Sequence, residues 1–313
     1  MGSDTVTVEK LGFVFPGQAS QVVGMGKDLY EQSAAARAIL DEVDDTLGRS
    51  LTSLMFDGPI EELTDTQNAQ PAVAAVSLAT HAALKEFLGA APEPAMVAGH
   101  SLGEYSALAV AEVLSVSDTV RLVVERGRLM QEACNEKPGG MVALIGIDEF
   151  AVEDVCRETG AELSNVNTSE QIIISGTHRA LAQAIDLAAA RGARKCITLQ
   201  VGGAFHSGLM EPAQVGLNEM IESMQFNDPT IPLVGNCRAT SLTTGDQVRA
   251  ELQSQLTSCV QWQRSVDFMI EQGVEKFVEI GPGKVLCGMI KRINREVPIT
   301  ALGDMESIKA FAA

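Results

Sequence analysis

Runs rich in β-forming residues alternate with segments of helical period along the chain, which predicts an α/β fold. A change of pattern between residues 137 and 202 predicts a second, smaller unit inserted into the larger one. A serine flanked by glycines, at the junction of a predicted strand and a predicted helix, predicts where the chemistry lies. The first strand is Leu11-Gly12-Phe13-Val14-Phe15, ending at Pro16-Gly17-Gln18. Residues 25–87 read as helix-rich, broken by loops at Asp57-Gly58-Pro59 and around residues 67–71. The short strand Ala95-Met96-Val97-Ala98 then runs into Gly99-His100-Ser101-Leu102-Gly103-Glu104, ahead of the helix-prone residues 105–110. Ser115-Val116-Ser117-Asp118 is a capping-box variant that opens a helix to about residue 134.

The punctuation Lys137-Pro138-Gly139-Gly140 marks a domain edge. Beyond it the pattern is strand 141–147, helix 149–159, two short strands around 163–166 and 171–175, helix 179–191 and strand 195–201. That βαββαβ order is the ferredoxin-like arrangement. The larger unit resumes with helix 209–224, strand 231–234, helices near 247–255 and 264–272, strand 276–280, and a final helix after Gly281-Pro282-Gly283. The expected division is therefore 1–136 and 203–313 for the large domain and 137–202 for the small one. Met1-Gly2-Ser3-Asp4 is polar and is given no fold role.

With 313 residues, of which 46% are hydrophobic, the chain can build a large buried core and is not disordered. No apolar stretch reaches the ~18 residues of a membrane span, and no basic segment leads into an apolar one at the start, so a cytoplasmic protein is expected. Forty-one acidic against 23 basic residues give a net charge of −18, which argues against nucleic acid and anionic membranes as partners. The six cysteines, Cys134, Cys156, Cys196, Cys237, Cys259 and Cys287, form no C-x-x-C pair and accompany no histidine cluster. They read as small core residues in a reducing compartment, without zinc, haem or redox function.

The G-x-S-x-G spacing around Ser101 is that of a nucleophile elbow: Gly99 and Gly103 let strand and helix pass closely, and the strained serine pushes its hydroxyl into the open. At a helix start, Ser101 also lies near free N–H groups able to hold an oxyanion. The nucleophile needs a base, and there are four histidines. His81 lies in a helical run, His178 in a turn, and His100 adjoins the serine with its side chain expected to point elsewhere. His206 remains, in the glycine-rich loop Gly202-Gly203-Ala204-Phe205-His206-Ser207, where either a catalytic or a capping role is open.

Three arginines on the helix after Ser115 separate by their neighbours. Arg121 and Arg128 have acidic companions at i±3 and i±4, whereas Arg126 has Leu122, Val123, Leu129 and Met130. A guanidinium on the apolar stripe must meet an anion. That anion is either a protein carboxylate in a buried ion pair or one that arrives with the substrate.

Taken together, the chain resembles the malonyl-CoA:acyl-carrier-protein transacylases and the acyltransferase domains of fatty acid and polyketide synthases along nearly its whole length. The stretches that carry the resemblance are Phe15-Pro16-Gly17-Gln18-Ala19-Ser20-Gln21, Gln70-Pro71-Ala72, residues 99–105, Arg126-Gly127 with Met130-Gln131, and Asn165-Val166-Asn167. They continue with Ala204-Phe205-His206-Ser207, Val260-Gln261-Trp262 and Glu279-Ile280-Gly281-Pro282-Gly283. So many motifs in order are more specific than the elbow alone.

The resemblance implies a hydrolase-like three-layer α/β domain with the ferredoxin-like insertion, and ping-pong transfer of malonyl from malonyl-CoA to acyl carrier protein. It makes Ser101 the nucleophile, His206 its base without a third acid, and Gln18 and Leu102 the oxyanion-hole donors. Arg126 would bind the malonyl carboxylate, Gln261 would orient His206 through its backbone carbonyl, and Gln70, Asn167 and Phe205 would support the site. It implies no cofactor, since malonyl-CoA is a substrate, and leans to a monomer. Departures from the usual pattern are Ala19 and Glu112 where glycine is common, Gly208 for a frequent proline, and Cys259 for a proline before Val260. A serine hydrolase of acyl thioesters or esters, a trans-acting polyketide acyltransferase and a non-enzymatic docking module remain alternatives. For an acidic carrier, the last predicted helix offers Lys284, Lys291 and Arg295 on one stripe with Arg292 beside it, against Val285, Leu286, Met289 and Ile293 on the buried side. These cations either dock the carrier or complement the helix dipole.

Overall fold

A computed structural model describes residues 9–89 and 93–312; the polar start Met1-Gly2-Ser3-Asp4 lies outside the described residues. The strands in chain order are β1 Leu11–Phe15, β2 Met96–Gly99, β3 Gly140–Ile145, β4 Glu162–Thr168, β5 Gln171–Gly176, β6 Lys195–Thr198, β7 Leu233–Val234, β8 Ser241–Leu242, β9 Lys276–Ile280 and β10 Ile299–Leu302. They form a six-stranded sheet ordered β10-β9-β1-β2-β7-β8 and a four-stranded sheet ordered β4-β5-β3-β6.

In the larger sheet β10, β9, β1, β2 and β7 are parallel, and β8 closes the edge antiparallel to β7. Helices cover its faces, which is why β1 is apolar and buried at every position rather than alternating. Its register sets Phe15 beside Gly99, so the loops after β1 and β2, carrying Gln18 and Ser101, leave the sheet side by side. The smaller sheet is antiparallel throughout, and its βαββαβ order gives the ferredoxin-like arrangement. Its strands alternate in the two-residue period: Val142, Leu144, Ile172 and Ile174 pack under the helices Glu149–Thr159 and His178–Ala190, while Met141, Ala143 and Ile173 join the core of the larger unit.

Three sequence expectations are corrected. The loop around residues 67–71 is part of the continuous helix Thr66–Leu88, with Pro71 inside it. An interior proline forfeits one helical hydrogen bond, at a cost of ~3 kcal/mol. Every residue from 68 to 80 is buried, and that burial outweighs the loss. The helix after Gly283, Val285–Ile293, is not the last element: the edge strand β10 and the helix Met305–Ala312 follow. The two-residue strand β8 was also not predicted; so short a run carries no period to read.

Candidate active site

Ser101 follows β2 with φ 52°, the left-handed conformation of an elbow. A Cβ on Gly99 would lie 1.9 Å from the Gly103 carbonyl carbon, and one on Gly103 would lie 2.0 Å from the Phe15 carbonyl oxygen, so neither position admits a side chain. Asn236, just past β7, holds the turn from the other side: its Oδ1 accepts the Ser101 N–H at 2.7 Å and its Nδ2 donates to the Gly99 carbonyl at 2.7 Å. Helix Gly103–Val110 starts at the next turn. Among the described residues, the backbone N–H groups of Gln18 and Leu102 have no intramolecular acceptor.

His206 also has a left-handed backbone, φ 55°. Its Nε2 lies 2.7 Å from Ser101 Oγ and its Nδ1 lies 2.9 Å from the Gln255 carbonyl oxygen. Nδ1 must donate to that carbonyl, which leaves Nε2 as the acceptor for the serine proton. The orienting carbonyl is therefore that of Gln255 and not that of Gln261. Gln261 N–H instead donates to the Asn236 carbonyl at 2.8 Å, and its side chain accepts from Arg264. Burial, and then the nearby Arg126 guanidinium, push the imidazole from 6.5 down to about 3, so the ring is neutral and able to accept a proton.

Arg126 is 1% exposed. Its Nη1 donates to Gln70 Oε1 at 2.6 Å, and its Nη2 donates to Ser101 Oγ at 3.0 Å and to Gln255 Oε1 at 3.2 Å. The guanidinium lies 5.2 Å from the Tyr105 ring centroid. Nε has no partner among the described residues. Arg121 and Arg128, by contrast, pair with Asp118 and with Glu125 and Glu132 on the surface. No carboxylate among the described residues pairs with Arg126. Glu104, the nearest candidate on the elbow helix, bonds instead to the Gln255 side chain and the Asn236 N–H. Burial and the neighbouring Glu251 raise its carboxyl well above the usual range, which favours its neutral form. A buried guanidinium held by amides and a hydroxyl, with its Nε hydrogen unpartnered, has the hydrogens with which to receive an anion.

Ser101, His206, Arg126 and Gln18 line a cavity of about 240 Å³ together with the apolar side chains of Met130, Met141, Ile173, Leu199 and Phe205. A wider groove of about 1020 Å³ between residues 22–32 and 301–309 carries charges of both signs but no nucleophile and base pair. Gln18 Nε2 donates to Thr66 Oγ1 at 3.3 Å. His100 turns from the serine: its Nε2 is 2.9 Å from Asn167 Oδ1 and its ring stands edge-on to Trp262. His81 packs edge-on against Phe13, and His178 opens a helix. Met289 brings helix Val285–Ile293 to the cavity rim. Lys284, Lys291, Arg292 and Arg295, on that helix and at its two ends, are exposed, with Lys284 bordering the wider groove, and none has an ion pair among the described residues. Val285, expected on the buried side, is 45% exposed: it is the first residue of the helix, and the buried stripe starts one position later at Leu286, which is 1% exposed, and continues at Ile290.

Residues 12–308 match the acyl transferase domain family. The malonyl CoA-acyl carrier protein transacylase of Bacillus subtilis is 43% identical over 307 residues, covering 96% of each chain. That of Escherichia coli O157:H7 is 41% identical over 305 residues, covering 96% of this chain and 98% of its own. The chain belongs to this acyl transferase family. A solved acyl carrier protein S-malonyltransferase of Vibrio cholerae superposes with a TM-score of 0.93 at 38% identity, over 97% of this chain and 100% of that one. A malonyl-transacylase solved in complex with a type II polyketide synthase acyl carrier protein gives 0.93 at 37% identity, over 96% and 98%. In this acyl transferase, sequence reading overlooked Gln255, Asn236 and Glu104. Asn236 could have been sought at the end of a predicted strand, where α/β folds place functional groups. Gln255 orients His206 through its backbone carbonyl, which any residue has, while its side chain accepts from Arg126 and donates to Glu104.

Proposed function

We propose that this protein transfers malonyl from malonyl-CoA to the phosphopantetheine thiol of acyl carrier protein, with Ser101 as the acylated nucleophile. His206 Nε2 takes the Ser101 hydroxyl proton as Oγ attacks the thioester carbonyl. The N–H groups of Gln18 and Leu102 hold the tetrahedral oxyanion. As the carbon–sulfur bond breaks, the proton passes from His206 to the leaving CoA sulfur, leaving a malonyl ester on Ser101. The carrier thiol then gives His206 its proton and attacks that ester, and collapse returns the proton to Ser101 Oγ.

The observation that carries this reading is Arg126, a buried guanidinium 3.0 Å from the nucleophile and with no carboxylate partner among the described residues. A malonyl carboxylate would take the Nη2 and Nε hydrogens that now go to Ser101 and to no partner. A hydrolase of neutral acyl groups has no use for such a cation. Lys284, Lys291, Arg292 and Arg295, on and beside the helix whose Met289 lines the cavity, would receive the acidic carrier, and Gln70, Asn167 and Phe205 would support the site. The same proposal takes residues 137–202 as the small domain within 1–136 and 203–313, because β3 to β6 have their own apolar cluster. It also places the protein in the cytoplasm, a reading supported by six unpaired cysteines; among the described residues no helix is long and apolar enough to cross a membrane. The test is to incubate the protein with a panel of acyl-CoAs and identify by intact mass which acyl group it retains. Malonyl is expected, and preferential retention of acetyl or longer neutral groups would overturn the substrate assignment.

A further inference from the structure

The loop that carries His206 is gripped by the smaller sheet. Ser175 on β5 donates its hydroxyl to the Phe205 carbonyl at 2.6 Å, and Ser164 on β4 reaches the same oxygen at 3.1 Å. Both serines are fully buried. Strand alternation explains their direction: Ile172 and Ile174 face the small unit's helices, which sets Ser175 on the opposite face with Ile173, a wall of the cavity. On the far side of His206, both carboxylate oxygens of Glu162, also on β4, accept the Gly208 N–H at 3.0 Å. A proline at 208, frequent in the family this chain resembles, would have no hydrogen to offer, so this contact depends on the glycine. The grip is anchored in turn to the large unit, where the Ser164 carbonyl accepts the Val260 N–H at 2.8 Å and Val166 N–H donates back to the Val260 carbonyl at 2.9 Å.

We infer that Ser175, assisted by Ser164, is a positioning residue for the base: the two hydroxyls fix the peptide between Phe205 and His206 and so hold His206 in the left-handed conformation that brings Nε2 to Ser101. The inference rests on the reading of His206 as the general base. A carbonyl oxygen has two lone pairs, and both are engaged here. Ser164 has one proton and a second acceptor, Asn165 Oδ1 at 2.8 Å, so Ser175 is the principal donor. Without these bonds a buried carbonyl loses its partners and a residue at φ 55° loses what offsets its strain. The peptide then rotates and the imidazole swings from the serine. The smaller sheet thereby sets the alignment of the base without touching substrate at these two positions.

The test compares wild type, Ser175→Ala, Ser175→Thr and the double variant Ser164→Ala/Ser175→Ala in rapid-quench acylation by malonyl-CoA, read by intact mass across substrate concentrations. The saturating rate should fall about tenfold in Ser175→Ala and about a hundredfold in the double variant, as expected for displacement of a catalytic group by a fraction of an ångström to one ångström. The half-saturating concentration should stay within about twofold, and Ser175→Thr should recover most of the rate because it restores the donor. A saturating rate within about twofold of wild type in Ser175→Ala, or equal losses in the Ala and Thr variants, overturns the inference. Should the double variant fail to fold, the two single variants decide the matter. Absence of a malonyl adduct on Ser101 of the wild type refutes the proposed function itself, a separate result.

Discussion

The larger sheet brings its site residues on loops past the C-terminal ends of strands: Gln18 after β1, Ser101 after β2 and Asn236 after β7. The smaller sheet contributes from within its strands, with Met141 on β3, Asn165 and Asn167 on β4, and Ile173 and Ser175 on β5. A loop at a strand end can take up the left-handed backbone that a nucleophile elbow needs, as Ser101 does. A residue within a paired strand is less free to do so, but its position is fixed by the ladder it belongs to, on both sides for β3 and β5 and on one side for the edge strand β4. The molecule thus separates the groups that react from the frame that aligns them and lines the pocket.

The largest expected effect falls on the reacting side. Ser101→Ala should abolish the malonyl adduct and lower turnover by roughly 10⁴-fold or more, and peptide mass spectrometry of the wild type should map the adduct to Ser101. An adduct at another residue would sink the assignment. Arg126→Ala comes next. Loss of a charge-assisted contact to a buried carboxylate costs roughly 2–5 kcal/mol, or about 30-fold or more in kcat/KM for malonyl-CoA. Acetyl-CoA, with no carboxylate, should be handled equally well or better. Equal losses on both substrates, or an unfolded variant, would make Arg126 a structural cation instead.

These two residues were also the most legible in the sequence. Ser101 is announced by glycines two residues to either side, and Arg126 by apolar neighbours where its companions Arg121 and Arg128 have acidic ones; each signal is local. The βαββαβ order was legible for the same reason, since each strand and helix carries its own period. What was not legible depends on distant contacts. Gln255 meets His206 across 49 positions through a main-chain atom, and the Ser175 hydroxyl meets Phe205 across 30. Pro71 misled because local geometry argues for a break that only the burial of its whole helix overrides.

His206, the proposed base, has a pH signature of its own. Its ring is held at about 3 by burial first and by Arg126 second. The wild-type acid limb of kcat/KM should therefore lie well below 6.5, and Arg126→Ala should move it upward by removing the second cause. A wild-type limb at the ordinary imidazole value would break the burial argument. The sign for stability is separate: between 6.5 and about 3 the unfolded chain binds a proton that native His206 refuses, so acidification through that window costs up to ~1.4 kcal/mol per pH unit from this group. Glu104 acts oppositely, because its raised carboxyl takes up a proton first in the native state and adds stability as pH falls through its folded value.

A smaller effect is expected on the exposed face of helix Val285–Ile293. Reversal of Lys291 and Arg292 to Glu should raise KM for the carrier several-fold, about 1 kcal/mol for two exposed charges, and leave acylation by malonyl-CoA intact. Steady-state kinetics with the carrier varied measures it. Unchanged carrier kinetics would assign these cations to the helix dipole alone.

The smallest effect separates strain that serves the site from strain that does not. Ser101, His206 and Glu112 all have left-handed backbones, with φ 52°, 55° and 60°. The first two are held by bonds that place reacting atoms, whereas Glu112 lies exposed beyond the elbow helix, its carboxylate without an ion pair among the described residues. For an L-residue that conformation costs ~1–2 kcal/mol, and glycine removes most of it. Glycine also gives the unfolded chain more freedom, which takes back ~0.4–1 kcal/mol. Glu112→Gly should therefore stabilise the protein by ~0.5–1 kcal/mol, with a rise in Tm of about 1–3 °C and unchanged kcat/KM for malonyl-CoA. A glycine at 101 would relieve the same strain while removing the nucleophile. A thermal melt of Glu112→Gly at or below wild type would mean that the conformation at 112 is set by the turn around it and carries no strain to release.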